Sequence, residues 1–382
     1  LDFAMSVQYE TNAERIILNQ EALSDDFYHL KTRLAGEILQ KFVNYHIKVA
    51  IYGDFRQYMS QSFHDFVYES NHGKNFCRYK RRSIISVDKC SIGGVRLDTA
   101  LLLRQYYDEC KELTDVEIQD LLMGSKIVER LTKDYDENAF FNIFRLICLS
   151  EIPYIERLNY TNKIINFVSD KLSTPLGFSY TGSVHYIVPC YNAMLMEAYA
   201  RLGLSESQEV KNALNWIKKY QIFERNQKTA WAYDGICKHG GCMHATPCYI
   251  GIGKTVRALI TYAKMTQYKD EEVECFIDLG IEYMLKHSMF QRLSNGKPIS
   301  PHITDIMFPQ AYMLSLTDLV YIVNQRNLWQ DKRCNALREL LKQKEVEPCQ
   351  WKIDYIYSHK GYKSFETRRN SSQWIAYLFS QK

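Results

Sequence analysis

Three segments of this chain open on a proline and continue into a long, almost uncharged run: VPCYNAMLMEAYARLGL from Val188, TPCYIGIGKTVRALITYA from Thr246 and FPQAYMLSLTDLVYIV from Phe308. The prolines, Pro189, Pro247 and Pro309, stand 58 and 62 residues apart. Proline suits the first helical turn, where its missing N–H would have no intrahelical partner. A recurring unit of this size marks a repeat architecture, and it constrains the fold more than any single motif. Each run is followed by a second helical stretch with an apolar stripe, at Val210 to Tyr220, Val273 to Leu285 and Cys334 to Leu341. Asn142 to Tyr160 and Thr161 to Phe178 read as an earlier unit, and Ser371 to Phe379 as a closing half-unit. A helix apolar on every face is buried, whereas an amphipathic one is peripheral. Inner and outer helices in alternation predict a mainly α protein whose residues 98–382 form an α/α toroid of helix-pair repeats, with a bore between the inner helices.

The N-terminal part has a different rhythm. Arg15 to Leu18 is a short apolar run, Asp26 to Tyr45 has helical period, Ile47 to Tyr52 is β-rich and ends at Gly53-Asp54, and Ser62 to Glu69 fits a second helix. Strand and helix in alternation imply parallel pairing. Residues 1–85 therefore read as a short α/β module, the basic triplet Lys80-Arg81-Arg82 as solvated linker sequence at its end, and 86–97, with Gly93-Gly94, as the linker proper. The stretches Phe27 to Phe55 and Phe63 to Gly73 resemble a small bacterial domain family of unknown function, which implies an α/β sandwich without a known reaction.

Charge excludes some functions and leaves others open. A formal net charge of +4 on 382 residues gives no electrostatic case for nucleic acid or an anionic membrane. No apolar run is long enough for a transmembrane helix, and the first ten residues lack the order of a secretory signal, so a cytoplasmic location is expected. Eleven cysteines spread along so long a chain point to reduced thiols used for burial, metal or reactivity.

The densest group of such residues is CKHGGCMHATPCY, with Cys237, His239, Cys242, His244 and Cys248. Soft and borderline donors around a flexible Gly240-Gly241 pair suit zinc, with Cys237, Cys242, His244 and Cys248 as the candidate ligands. Cys248 follows the helix-opening proline, where partial positive charge favours a thiolate, so it is also a candidate catalytic group. Cys190 and Gln310 hold the same place in the neighbouring repeats. Together with Tyr249 and Tyr312 on the inner helices and Trp231 and His185 near their ends, they are the candidate substrate-binding residues. The chain holds 28 Tyr and 18 Phe, enough to line a pocket for an apolar or cationic group. The stretch GIGKT, Gly251 to Thr255, is no phosphate loop, because it lies inside a predicted helix rather than after a strand.

The helical part resembles the α/α-toroid superfamily of protein prenyltransferase β subunits and terpene cyclases. TPCYIGIGKTVRAL is similar to the segment in which an Asp, a further residue and Cys-Tyr open an inner helix and supply two zinc ligands. Cys248 matches that cysteine, while Thr246 stands in place of the Asp. SNGKPISPHITDIMFPQAY is similar to the later Gly-rich loop and zinc His, with His302 as a displaced candidate. Other members protonate an isoprenoid through D-x-D-D, to which Asp134-Tyr135-Asp136-Glu137 is the nearest stretch, with Asp134 and Asp136 as candidate acids. The resemblance implies a toroid, possible dependence on zinc, and a long apolar, isoprenoid-like ligand or a peptide. The alternative is a non-catalytic binding module or scaffold with structural cysteines. An open apolar bore would favour catalysis and a filled one the binding role.

Overall fold

The computed structural model describes residues 15–19, 22–44, 48–53, 76–80, 97–224, 231, 247–266 and 270–381. They fall into two compact units, Leu1–Leu97 and Asp98–Lys382.

In the first unit, strands β1 (Arg15–Asn19), β2 (Lys48–Gly53) and β3 (Phe76–Lys80) form a sheet in that order. Both pairings are parallel, with Ile17 opposite Ala50 and Ile51 opposite Arg78. Parallel neighbours need a crossover, and helix α1 (Leu34–Asn44) lies in the connection from β1 to β2, with Ala35 and Phe42 buried. The alternation read from the sequence is thus present. Strand β3 was not expected: Arg78 and Lys80 interrupt its apolar pattern, and Lys80 ends a strand rather than opening a linker. The helix expected over Ser62 to Glu69 lies outside the described residues.

The second unit is helical. Its helices are α2 (Thr99–Asp108), α3 (Asp115–Met123), α4 (Lys126–Thr132), α5 (Ala139–Ser150), α6 (Asn159–Leu172), α7 (Pro189–Arg201), α8 (Gln208–Tyr220), α9 (Tyr249–Met265), α10 (Glu271–Lys286), α11 (Leu316–Gln325), α12 (Asn335–Gln343) and α13 (Gln373–Ser380). A two-residue β pair, Ser173–Thr174 with Gly177–Phe178, separates α6 from α7. Among the described residues no helix is long and apolar enough to cross a membrane.

Burial sorts these helices into two sets. Helix α7 buries 11 of its 13 residues and α8 only 5 of 13, so α7 is interior and α8 peripheral. The interior helices touch in sequence order, α5 with α7, α7 with α9, α9 with α11 and α11 with α13. The α7–α9 contact is close because residue 251 is glycine: a Cβ there would stand 2.8 Å from Cβ of Pro189. Two side chains join the ends of the series through α2. Arg104 of α2 donates to the carbonyl of Glu151 just past α5, and Tyr377 of α13 donates to Asp108 of α2. The C-terminal ends of all six helices, α2, α5, α7, α9, α11 and α13, border one cavity. They therefore run in the same direction, with their N-terminal ends gathered on the other side.

The prolines act less uniformly than their spacing suggests. Pro189 occupies the first turn of α7 as expected. Pro247 lies one residue before the N-cap Cys248 of α9. Pro309 opens no helix, since α11 starts at Leu316 behind a capping box in which Ser315 and Asp318 bond reciprocally. A side-chain cap satisfies orphan backbone groups that a proline only omits, so the cap sets the start.

Candidate functional site

At the N-terminal ends of the interior helices the aromatic residues form one continuous cluster. Phe140 and Phe144 come from the first turns of α5, Tyr191 from α7, Tyr180 from the segment before α7, Tyr312 from the segment before α11, and Tyr357 and His359 from the chain after α12. Phe140 stacks on Tyr180 at 5.8 Å, and Tyr191 lies 5.5 Å from Tyr180, 6.2 Å from Phe144 and 6.4 Å from Tyr312. Tyr357 packs on Phe144 at 4.9 Å and edge-on to Tyr312 at 5.8 Å. His359 lies 4.9 Å from Phe144, and burial lowers its pKa, which favours the neutral imidazole. Offset and edge-to-face contacts at these separations are the favourable ones for aromatic rings. Phe144 is fully buried, while Tyr312 keeps 36% of its surface exposed. The result is an aromatic floor with its outer rings open to solvent, beside a groove lined by Asp136, Asn138, Tyr357 and Lys360.

Cys190 and Cys248 meet at the edge of this floor, where α7 and α9 begin. They are near enough for each to influence the other's charge, and Pro189 and Cys248 both border Gly251. Burial pushes the Cys190 thiol up to about 12, which outweighs the pull of the helix N-terminus at this position. Cys248, half-buried, is the better placed of the two for contact with a ligand or metal. The other candidate donors, Cys237, His239, Cys242 and His244, lie outside the described residues. Among the described residues no group of three His, Cys, Asp or Glu side chains is arranged to hold a metal. The cysteine pair alone does not make a zinc site.

Below the floor the interior is occupied by charge. Arg257 donates to both oxygens of Glu197 at 3.1 Å, to Asp318 at 3.2 Å and to Glu151 at 2.9 Å. Lys254 donates to both oxygens of Asp318, at 2.9 and 3.0 Å, and to Gln310 at 3.0 Å. Gln310 in turn donates to Glu197, which also accepts from Arg201 at 2.8 Å. Lys254 and the carboxylates of Glu197 and Asp318 are almost completely buried. Glu151, Glu197 and Asp318 balance Arg201, Lys254 and Arg257. Burial opposes the Glu197 carboxylate, but Arg257 and Arg201 outweigh it and hold the pKa at about 2. Burial also lowers the pKa of Lys254, against the attraction of Asp318. A network with its charges balanced and hydrogen-bonded is a stable filling, and it leaves no apolar bore through the described interior.

The remaining predicted residues are distributed over the unit. Gln310 belongs to the interior network. Tyr249 is buried against α10, with its hydroxyl donating to the carbonyl of Met289, and packs on Tyr283 and His287. Trp231 packs on Trp216 and Tyr220 of α8. His185 is exposed in the turn before α7. His302, the displaced candidate, pairs with Asp305 at 2.7 Å and stacks on Tyr355.

Asp134 is not a raised-pKa acid. Burial does push it up, but Arg145 at 2.9 Å and Lys363 outweigh this and hold its carboxyl below the usual range. Asp136 lines the groove and accepts the backbone N–H of Asn138.

The buried ionic residues were missed as a group, although a signal was present. Glu197, Lys254 and Arg257 are isolated charges in helices otherwise apolar on every face, so they have no solvent side to reach. Such charges must meet one another inside.

Residues 1–85 match the family model of a domain of unknown function (DUF4180). No curated protein and no solved structure matches the chain.

Proposed function

We propose that residues 98–382 close into an α/α toroid, and that its aromatic mouth binds a long apolar, isoprenoid-like ligand as a binding module. Support for closure is the series of neighbouring helices that returns from α13 to α2 through Tyr377 and Asp108. The observation that carries the binding role is the aromatic floor above a filled interior. Its exposed rings give an apolar chain a surface to lie on, while the ion network below denies it a deep enclosed cavity. This favours the binding alternative over a cyclase that must wrap its substrate away from water.

The test is a calorimetric titration with farnesol and with farnesyl diphosphate. Both should bind saturably, and Tyr312→Ala should weaken binding about tenfold, in line with loss of one large aromatic contact. Tyr312 is partly exposed, so the variant should remain folded. Absence of saturable binding, or equal affinity in the variant, contradicts the proposal.

The position of Cys248 at the mouth supports a second reading, in which the Cys237–Cys242–His244 loop joins it around zinc. Zinc there would act as a Lewis acid or hold a thiolate. Metal content of tag-free protein measures this reading directly. About one zinc per chain, absent from Cys248→Ala, would support it, and metal-free folded protein would remove it.

A further inference from the structure

The cavity at the opposite end, where the six interior helices finish, belongs neither to the aromatic mouth nor to the sequence-derived site. It measures about 230 Å³, below the roughly 300–1,000 Å³ of pockets for drug-sized ligands, so only a small molecule fits. Its walls carry unused hydrogen-bonding capacity of both signs. Arg201 uses Nε and Nη2 on Glu197, but its Nη1 comes no nearer than 3.7 Å to Glu151 Oε2. Arg104 uses Nε on Asp108 and Nη1 on the Glu151 carbonyl, which leaves Nη2 without a hydrogen bond among the described residues. Glu151 gives Oε1 to Arg257, while Oε2 has only the long contacts to Arg104 at 3.5 Å and to Arg201. Lys264 stands at the rim with no ion pair among the described residues.

We infer that this cavity binds a small zwitterion of the amino-acid type. Two guanidinium edges and the Lys264 ammonium would receive a carboxylate, for which arginine is suited. The Glu151 carboxylate and the helix C-terminal carbonyls would receive the ammonium, since helix C-termini favour cations. A ligand with a single charge would satisfy one set and leave the other desolvated beside it. Tyr107, Tyr154, Met265 and Leu378 supply apolar wall for a side chain.

The whole 382-residue chain is titrated calorimetrically with L-phenylalanine, L-leucine and L-methionine, and with 3-phenylpropionate and phenethylamine, which each keep one charge of phenylalanine. At least one amino acid should bind saturably. Its affinity should exceed that of either single-charge analogue, measured for phenylalanine, at least tenfold. Lys264→Gln, a change at the rim, should weaken binding several-fold with an unchanged melting temperature. No saturable amino-acid binding overturns the inference. Equal binding of 3-phenylpropionate, which would make this a plain anion site, overturns it as well, as does equal affinity of Lys264→Gln.

Discussion

Glu197→Leu is expected to lower the unfolding free energy of the helical unit by about 3–5 kcal/mol, the loss typical of removing one partner from a buried ion network. The leucine fills much of the space but leaves Nε of Arg257, Nε of Arg201 and the amide N–H of Gln310 without their carboxylate acceptor. Since whole domains are stable by only about 5–15 kcal/mol, the unit should come close to unfolding. Glu206→Leu provides the contrast: that carboxylate sits in an exposed pair with Lys211 at 3.6 Å, and pairs of this kind contribute about 0–1 kcal/mol. Urea unfolding of the three proteins measures both effects.

The same residue predicts a pH dependence. The folded pKa of Glu197, about 2, lies below its ordinary value of 4.5, so its contribution is complete above pH 4.5 and is lost as pH falls towards 2. Glu197→Gln should be less stable than wild type at neutral pH, with a difference that narrows over this window. A gap that stayed constant down to pH 2 would mean that Glu197 does not titrate as the network requires.

Gly361→Ala is the second change with a large expected effect. The glycine carbonyl accepts from the buried Arg145 at 2.9 Å, which holds the chain after α12 against α5. A Cβ at this position would stand 2.6 Å from Cα and 2.7 Å from the carbonyl carbon of Phe141, which are backbone atoms inside a helix. No rotamer relieves such a contact, so the segment must move. Overpacking costs about 1–3 kcal/mol and sometimes more, and a backbone clash belongs at the upper end. Because Tyr357 and His359 lie on the displaced segment, the variant should also lose affinity at the aromatic mouth. Unchanged thermal stability would show that the segment does not sit tightly on α5.

These expectations rest on features the sequence reveals unevenly. The inner and outer helices were legible because α7 and α8 differ so sharply in charge, and Pro189 marks its helix start directly. The start of α11 is not at Pro309, where the repeat pattern places it, because Ser315-x-x-Asp318 is a capping signature that sets the start seven residues later. Strand β3 was hidden by Arg78 and Lys80, whose charges resemble those of a linker. At the mouth, Tyr312 and Cys190 were identifiable from their places in the repeat. Tyr357 and His359 were not, since they come from the irregular segment after α12 and reach the floor through tertiary contacts such as Arg145–Gly361 and Tyr362–Pro309. Gln310 equates with Cys190 and Cys248 in the repeat, yet it bonds Lys254 and Glu197 inside the unit instead of facing a ligand.

Photo-crosslinking with a diazirine-bearing farnesyl analogue, followed by peptide mapping, tests the central claim most directly. The account predicts adducts concentrated on peptides carrying Tyr180, Tyr191, Tyr312 and Tyr357, suppressed by excess farnesol and reduced in Tyr312→Ala. Adducts confined to residues 1–97, or scattered without competition by farnesol, would contradict the aromatic mouth as the binding surface.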